Sequence, residues 1–209
     1  MINKLKKMVA GVAIATSMVC GASNIANASG SVEVMAGNEN TTLDTKINAS
    51  VAPRTNLFVR GRTSADYQGE VSYFGLADLS VNLVDGLDAV AEAQFIPGIG
   101  VVPRLGLQYF GKFGDFSVYG LATAGLSGEN VDAEFLANLK YAPKLTDDLN
   151  LVLNLENVTN VGEQGHNFSV QRLRIGLGID NYKFGVATDL TESDGAVVQN
   201  MGGYAKINF

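Results

Sequence analysis

The chain is short of long hydrophobic runs, although 46% of its 209 residues are hydrophobic. Past the N-terminal segment no unbroken stretch reaches the roughly 18 residues that a membrane-crossing helix requires, so a helical membrane protein is excluded. Cysteine occurs once, as Cys20, which rules out a disulfide framework and a cysteine-ligated metal centre. Histidine also occurs once, as His166, so no cofactor or transition-metal site is expected. Tryptophan is absent, and only four prolines interrupt the chain. Positive charge is scarce too. Fifteen Lys and Arg stand against 21 Asp and Glu, a net charge of −6 with no basic stripe of the kind that binds nucleic acid. Gly98-Ile99-Gly100 and Gly176-Leu177-Gly178 lack the strand–loop–helix setting of a nucleotide site and read as loop and close-packing positions.

What is present begins with an export signal. Lys4, Lys6 and Lys7 form a positive n-region, Met8 to about Cys20 a short apolar stretch, and Ala26-Asn27-Ala28 offers small residues where a signal peptidase reads. Residues 1–28 are therefore expected to be a cleaved signal peptide and residues 29–209 the mature domain. A buried N-terminal helix is one alternative; a lipoprotein signal ending at Cys20 is another, disfavoured by the bulky Val19. The mature domain keeps 12 Lys and Arg against 21 Asp and Glu and loses its thiol, which suits an oxidising periplasm.

From Ser31 onward apolar residues recur at every second position rather than at helical spacing. Leu149, Leu151, Leu153 and Leu155 alternate with Asn150, Val152, Asn154 and Glu156; Leu173, Ile175, Leu177 and Ile179 alternate with Arg174, Gly176 and Gly178. Cutting at turn signals predicts an all-β domain of twelve strands, with ten as the alternative: 31–37, 42–52, 56–64, 71–84, 87–96, 101–112, 115–126, 130–142, 149–158, 168–179, 182–191 and 197–209. Connections at Pro53–Thr55, Val84–Gly86, Phe113-Gly114, Lys144–Asp148 and Asp180-Asn181 are expected to be mostly tight. Those at Asn38–Thr41, Ala65–Glu70, Ile96–Gly100, Ser127–Glu129, Thr159–Asn167 and Thr191–Ala196 are longer and more polar.

A soluble β-sandwich also alternates. Against it, the polar face is rich in Gly, Ser and Asn, and aromatics gather beside the tight turns: Tyr109, Phe113, Phe116, Tyr141, Tyr182, Phe184 and Phe209. An interfacial girdle would lie there. The reading is a single transmembrane antiparallel β-barrel, with short periplasmic turns, longer outer loops and both termini periplasmic.

The last nine residues, Met201-Gly202-Gly203-Tyr204-Ala205-Lys206-Ile207-Asn208-Phe209, end on an aromatic residue preceded by apolar or small residues at alternate positions. This segment resembles the terminal strand of bacterial outer-membrane proteins of the broad porin-like class. The resemblance implies location in the outer membrane of a Gram-negative bacterium, recognition by the barrel-assembly machinery through the strand ending at Phe209, and contact with outer-membrane lipid and lipopolysaccharide. The missing Trp departs from many members and leaves Tyr and Phe to supply the girdle.

If the apolar phase faces lipid, the opposite phase lines the lumen. That assigns Lys46, Arg60, Arg62, Asp78, Glu92, Arg104, Glu134, Lys140, Glu156, Arg172, Arg174, Lys183 and Asp189 to the interior, with Glu33, Asp44, Asp88, Lys112, Asp132 and Lys206. Hairpin counting sets Arg172 opposite Asp189, Glu92 opposite Arg104 and, with Leu83 paired to Leu87, Asp78 opposite Glu92. Ten basic against nine acidic interior groups serve either a narrow pore that selects small polar or charged solutes or a charge-plugged structural or adhesive barrel. The greater interior of twelve strands favours the channel. The outer loops carry Glu39, Asp66, Glu70, Glu129, Glu163, Glu192 and Asp194 without Lys or Arg. Such a rim attracts cations or shares divalent ions with lipopolysaccharide, or is a solvated surface. An outer-membrane lipid hydrolase is the third reading, because His166 lies near Ser169. Their spacing points the two side chains to opposite faces of an extended strand, so no enzyme is expected.

Overall fold

The structure, a computed structural model, describes residues 28–209 apart from residues 128 and 129 and the side chain of Ser127. Residues 1–27 of the expected signal peptide and Glu129 therefore lie outside the described residues, while Ala28, its last expected residue, stands in the first strand. The rest is twelve strands: β1 (Ala28–Gly37), β2 (Asn40–Ala52), β3 (Thr55–Asp66), β4 (Val71–Val84), β5 (Leu87–Ile96), β6 (Gly100–Phe113), β7 (Phe116–Ser127), β8 (Asn130–Tyr141), β9 (Leu149–Gly162), β10 (Gly165–Ile179), β11 (Tyr182–Ser193) and β12 (Ala196–Asn208). Each pairs antiparallel with its chain neighbours, and β12 returns to β1, so one sheet closes on itself. The seam runs from Ser31 opposite Asn208 to Gly37 opposite Gly202. It ends with Gly30 and Phe209 exchanging backbone hydrogen bonds at 2.8 and 3.0 Å. A closed ring has no unpaired edge, which is what a sheet in hydrocarbon needs.

The side-chain distribution is inverted relative to a soluble barrel. Among the described residues 17 polar or charged residues are buried against nine hydrophobic ones. Large apolar side chains such as Leu79, Val101, Leu105, Phe135, Val186 and Val197 are 46–70% exposed on the outside. Period-two alternation produces this directly, since one phase of every strand faces out and the other in. A soluble sandwich is thereby excluded. Aromatic contacts mark both ends of the exterior, Phe116 with Tyr141 at 6.4 Å near the termini and Tyr73 stacked on Phe95 at 5.5 Å at the opposite end.

Three expectations need correction. The opposite end has no long loops: its described connections are residues 38–39, 67–70, 97–99, 163–164 and 194–195, and the longest connection, residues 142–148, lies at the end that holds the termini. The supposed loop Thr159–Asn167 is mostly strand, with only Glu163 and Gln164 between β9 and β10. Its polar residues Asn160 and Asn167 are bonded to each other at 2.7 Å, and Asn160 is buried in the lumen. Polarity signals a loop in a soluble protein but not in a barrel with a polar interior. Finally, Leu83 does not pair with Leu87. Val84 does, across the two-residue turn Asp85-Gly86 (Gly86 φ 77°), and Leu83 is the extra residue of a bulge that restores the register by Asn82 opposite Asp88.

Two features shape the wall. The ladder between β6 and β7 stops at Arg104 opposite Gly125. The next residue outward, Pro103, has no N–H to continue it. On the far wall, Gly176 pairs with Gly185 facing inward, and backbone of the adjacent strand occupies the space a Cβ would need at either position. Gly185→Val is expected to block barrel closure, whereas Gly75→Ala, whose new methyl meets nothing nearer than 3.9 Å, is expected to fold normally. The check is the heat-dependent shift in electrophoretic mobility of the refolded barrel.

Candidate functional site: the charged lumen

Of the interior residues expected from the sequence, Asp44, Arg60, Asp78, Glu92, Arg104, Glu134, Glu156, Arg174 and Asp189 are buried, Lys46, Arg62, Lys140, Arg172 and Lys183 are half-buried and Lys112 is exposed, and the register brings the anticipated rows together. Asp78 lies opposite Glu92, Glu92 opposite Arg104, and Arg172 opposite both Glu156 and Asp189. Register neighbours are not always the bonding partners. Arg172 pairs with Glu156 and leaves Asp189 to Arg62 (2.5 Å) and Arg174 (2.6 Å).

One group of charges spans the lumen from β1–β3 to β9–β11. Arg60 on β3 donates twice to Asp44 on β2, at 2.6 and 3.0 Å. It also donates to Glu156 on β9 at 3.1 Å. In a ring of twelve, β3 and β9 are six strands apart, on opposite walls. The Arg60 guanidinium thus lies on a chord across the barrel. Lys46 reaches Glu156 at 3.2 Å, and Arg174 ties Glu33 on β1 to the same network at 2.8 Å. Five basic side chains meet four carboxylates here. The fork of Arg explains the two-sided contacts: several fixed donors serve two carboxylates at once.

A second group lies on β4–β8 and is unbalanced. Arg104 bonds Asp132 at 2.5 Å, approaches Glu92 at 3.4 Å and donates to the Thr123 hydroxyl at 2.9 Å. The Gln94 amide donates to Glu92 at 2.8 Å and Glu134 at 2.9 Å. Asp78 and Glu92, only 3% and 4% exposed, face each other across β4 and β5, and each keeps one oxygen that no donor outside the pair reaches. Of the four carboxylates here, the guanidinium of Arg104 reaches two, Asp132 and Glu92. Above them, at the end away from the termini, opens a vestibule of about 410 Å³. Gln94, Arg104 and Glu134 line its depth, Ile99, Asn130 and Gln164 its mouth.

Lys112, Lys140, Lys183 and Lys206 form no ion pair among the described residues, and all stand near the strand ends at the terminal side. Lys183 and Lys206 are cross-strand neighbours. The interior that sums to near neutrality in the sequence is therefore polarised along its axis, acidic toward the vestibule and basic toward the termini. Sequence reasoning also missed the neutral amides Gln94 and Asn160. They sit on the same inward phase as the charges, and that phase was the available signal.

His166 and Ser169 share a face, contrary to expectation. A bulge at Asn167 shifts the register between His166 and Phe168. It leaves His166 Nε2 2.8 Å from Ser169 Oγ on the outward side, with the Thr159 hydroxyl 3.1 Å from the same serine. Activating a serine also needs a group that orients the imidazole through its other nitrogen. No such group bonds it among the described residues.

No protein-family model matches the chain, and no curated protein matches it. Solved structures do. The chain is similar to the NanC porin, at 9% identity and a TM-score of 0.54 over 87% of this chain and 98% of that one. It is also similar to LpxR from Salmonella typhimurium, at 9% identity and a TM-score of 0.49 over 86% and 99%. Likenesses at this identity show the fold alone. That fold, with its apolar exterior and closed ring, is the bacterial outer-membrane β-barrel.

Removing the guanidinium of the central chord leaves two buried carboxylates underbonded. Arg60→Ala is expected to lower the unfolding free energy by about 3–5 kcal/mol, measured by urea titration of the barrel in lipid vesicles. A fluorophosphonate probe is expected to leave Ser169 unlabelled, because its neighbouring imidazole is unsupported; labelling that disappears in His166→Ala would reverse that reading.

Proposed function

We propose that this protein is an outer-membrane barrel closed at rest by its own charged side chains, a surface barrel whose solute-facing part is a blind vestibule. The observation that carries this is the Arg60–Glu156 contact between opposite walls, flanked by buried partners on both sides. An open porin keeps its interior charges in water, whereas Arg104, Glu92 and Asp78 are each no more than 4% exposed. The termini face the periplasm in this reading and the vestibule faces outward. The carboxylates on the outer rim of the barrel, Glu39, Glu70, Glu163, Glu192 and Asp194, share divalent ions with lipopolysaccharide phosphates, and the strand ending at Phe209 is the segment presented to the assembly machinery.

A second reading, a narrow channel for small polar or charged solutes, is favoured by one observation. The closure consists of side chains on the wall, so rotamer changes alone could open a path between an acidic and a basic mouth. Planar-bilayer recording separates the two. The closed-barrel reading expects no conductance steps from the native protein and discrete steps from the Arg60→Ala/Glu156→Ala double variant. Steady ohmic conductance of the native barrel would overturn it in favour of the channel.

A further inference from the structure

Asp78 on β4 and Glu92 on β5 are cross-strand neighbours inside the lumen, and both are almost fully buried. Among the described residues Asp78 forms no ion pair, and Glu92 is the one group that hydrogen-bonds it. Glu92 is served by donors on one side only. Gln94 Nε2 donates to its Oε1 at 2.8 Å and Arg104 Nε lies 3.4 Å from the same oxygen, while Oε2 is buried with no such donor. The two carboxyl groups lie within hydrogen-bonding reach of each other. Ionised carboxylates only accept, so a bond between two of them requires a proton. Without it, like-charge repulsion adds to the cost of burying Asp78 as an unpaired charge.

The groups around the pair do not take the place of that proton. Arg104 on β6 is engaged by Asp132 at 2.5 Å and by the Thr123 hydroxyl at 2.9 Å. Arg60 on β3 is held by Asp44 and Glu156. The other titratable groups on neighbouring strands bring no positive charge. Asp88 on β5 accepts from Asn82 and Gln108, the Tyr119 hydroxyl on β7 donates to Gln108, and Glu134 on β8 accepts from Gln94. We infer that Asp78 and Glu92 hold one proton between them and form a proton-operated latch joining β4 to β5 inside the lumen. With the proton in place the pair is a hydrogen bond carrying a single negative charge. Once it leaves, two negative charges stand in contact close to Glu134 and push the side chains apart. The pair titrates as a unit, so the proton belongs to neither residue alone. The inference concerns protonation and not conductance, so a bilayer recording and a test of the latch fail separately.

Infrared spectroscopy of the mature barrel refolded in lipid vesicles at neutral pH tests it. The native protein is expected to show the carbonyl band of one protonated carboxyl per barrel. Asp78→Asn is expected to lose that band, because the new amide supplies N–H donors to Glu92; Glu92→Gln serves as a second variant should the first not refold. Asp88→Asn removes a carboxyl that already has donors and is expected to keep the band. A second readout follows from linkage. The unfolded chain ionises both carboxyls at neutral pH, so the folded barrel binds one proton more and its stability falls as pH rises. In urea titrations the unfolding constant of the native protein and of Asp88→Asn is expected to rise about tenfold for each pH unit over which the latch releases its proton, and that of Asp78→Asn is not. Absence of a protonated-carboxyl band in the native barrel, its survival in Asp78→Asn or Glu92→Gln, or the same alkaline loss of stability in Asp78→Asn would each overturn the proposal.

Discussion

Inside a hydrocarbon layer every backbone N–H and C=O must find its partner within the protein, and the rest of this structure follows from that requirement. A β-sheet meets it only by closing, and here it closes when β12 reaches β1 and Gly30 bonds Phe209. Closure commits each strand to one face in lipid and one in the lumen. That commitment turns period-two alternation into an apolar outside and a polar inside. It also forces the wall to bend where side chains would collide, which is the place of Gly176 opposite Gly185.

The same closure makes the interior charges interdependent. Among the described residues only side chains enter this lumen, and arginines reach across it. Arg60 touches β9, and Arg62 touches β11. The group on β1–β3 and β9–β11 nearly neutralises itself. The group on β4–β8 does not, and its excess of carboxylates lies beneath the vestibule. Pairing and excess are thus separated in space although they cancel in the total. A net count of interior charge could not distinguish a neutral plug from a polarised one, and the register does.

Much of this was legible in the sequence, because alternation is a local property that closure does not alter. Twelve strands, the inward phase of Arg60, Glu156 and Arg104, and Glu92 opposite Arg104 follow from counting outward from turns; Asp78 faces Glu92 because the bulge at Leu83 offsets the tighter turn at Asp85-Gly86. The failures have two physical causes, the polar interior and the bulges. Thr159–Asn167 looked like a loop because Asn160 and Asn167 are polar, but in a barrel polar residues are as proper to the strand interior as to its ends. His166 and Ser169 looked divergent because simple alternation was assumed through Asn167, where one bulged residue inverts the phase. The contact between opposite walls was not legible at all. Turn counting fixes which strands adjoin, while the chord from Arg60 to Glu156 depends on side-chain length and on the curvature of the whole ring.

An apolar lumen would pack as well as a charged one, and replacing buried ion pairs by hydrophobic residues is often neutral or stabilising. What the charges supply lies elsewhere. If both phases of each strand were apolar, alternation would vanish and a one-residue slip would cost little, since register is held by the difference between the two faces. The unfolded chain would also carry long hydrophobic segments through water before reaching the membrane. With Glu, Arg and Asn at every second position, a slipped strand places charge in lipid, at roughly 2–4 kcal/mol for each Arg or Lys at the midplane. The interior charges therefore define the register first. Their arrangement then leaves one half of the interior paired and the other acidic.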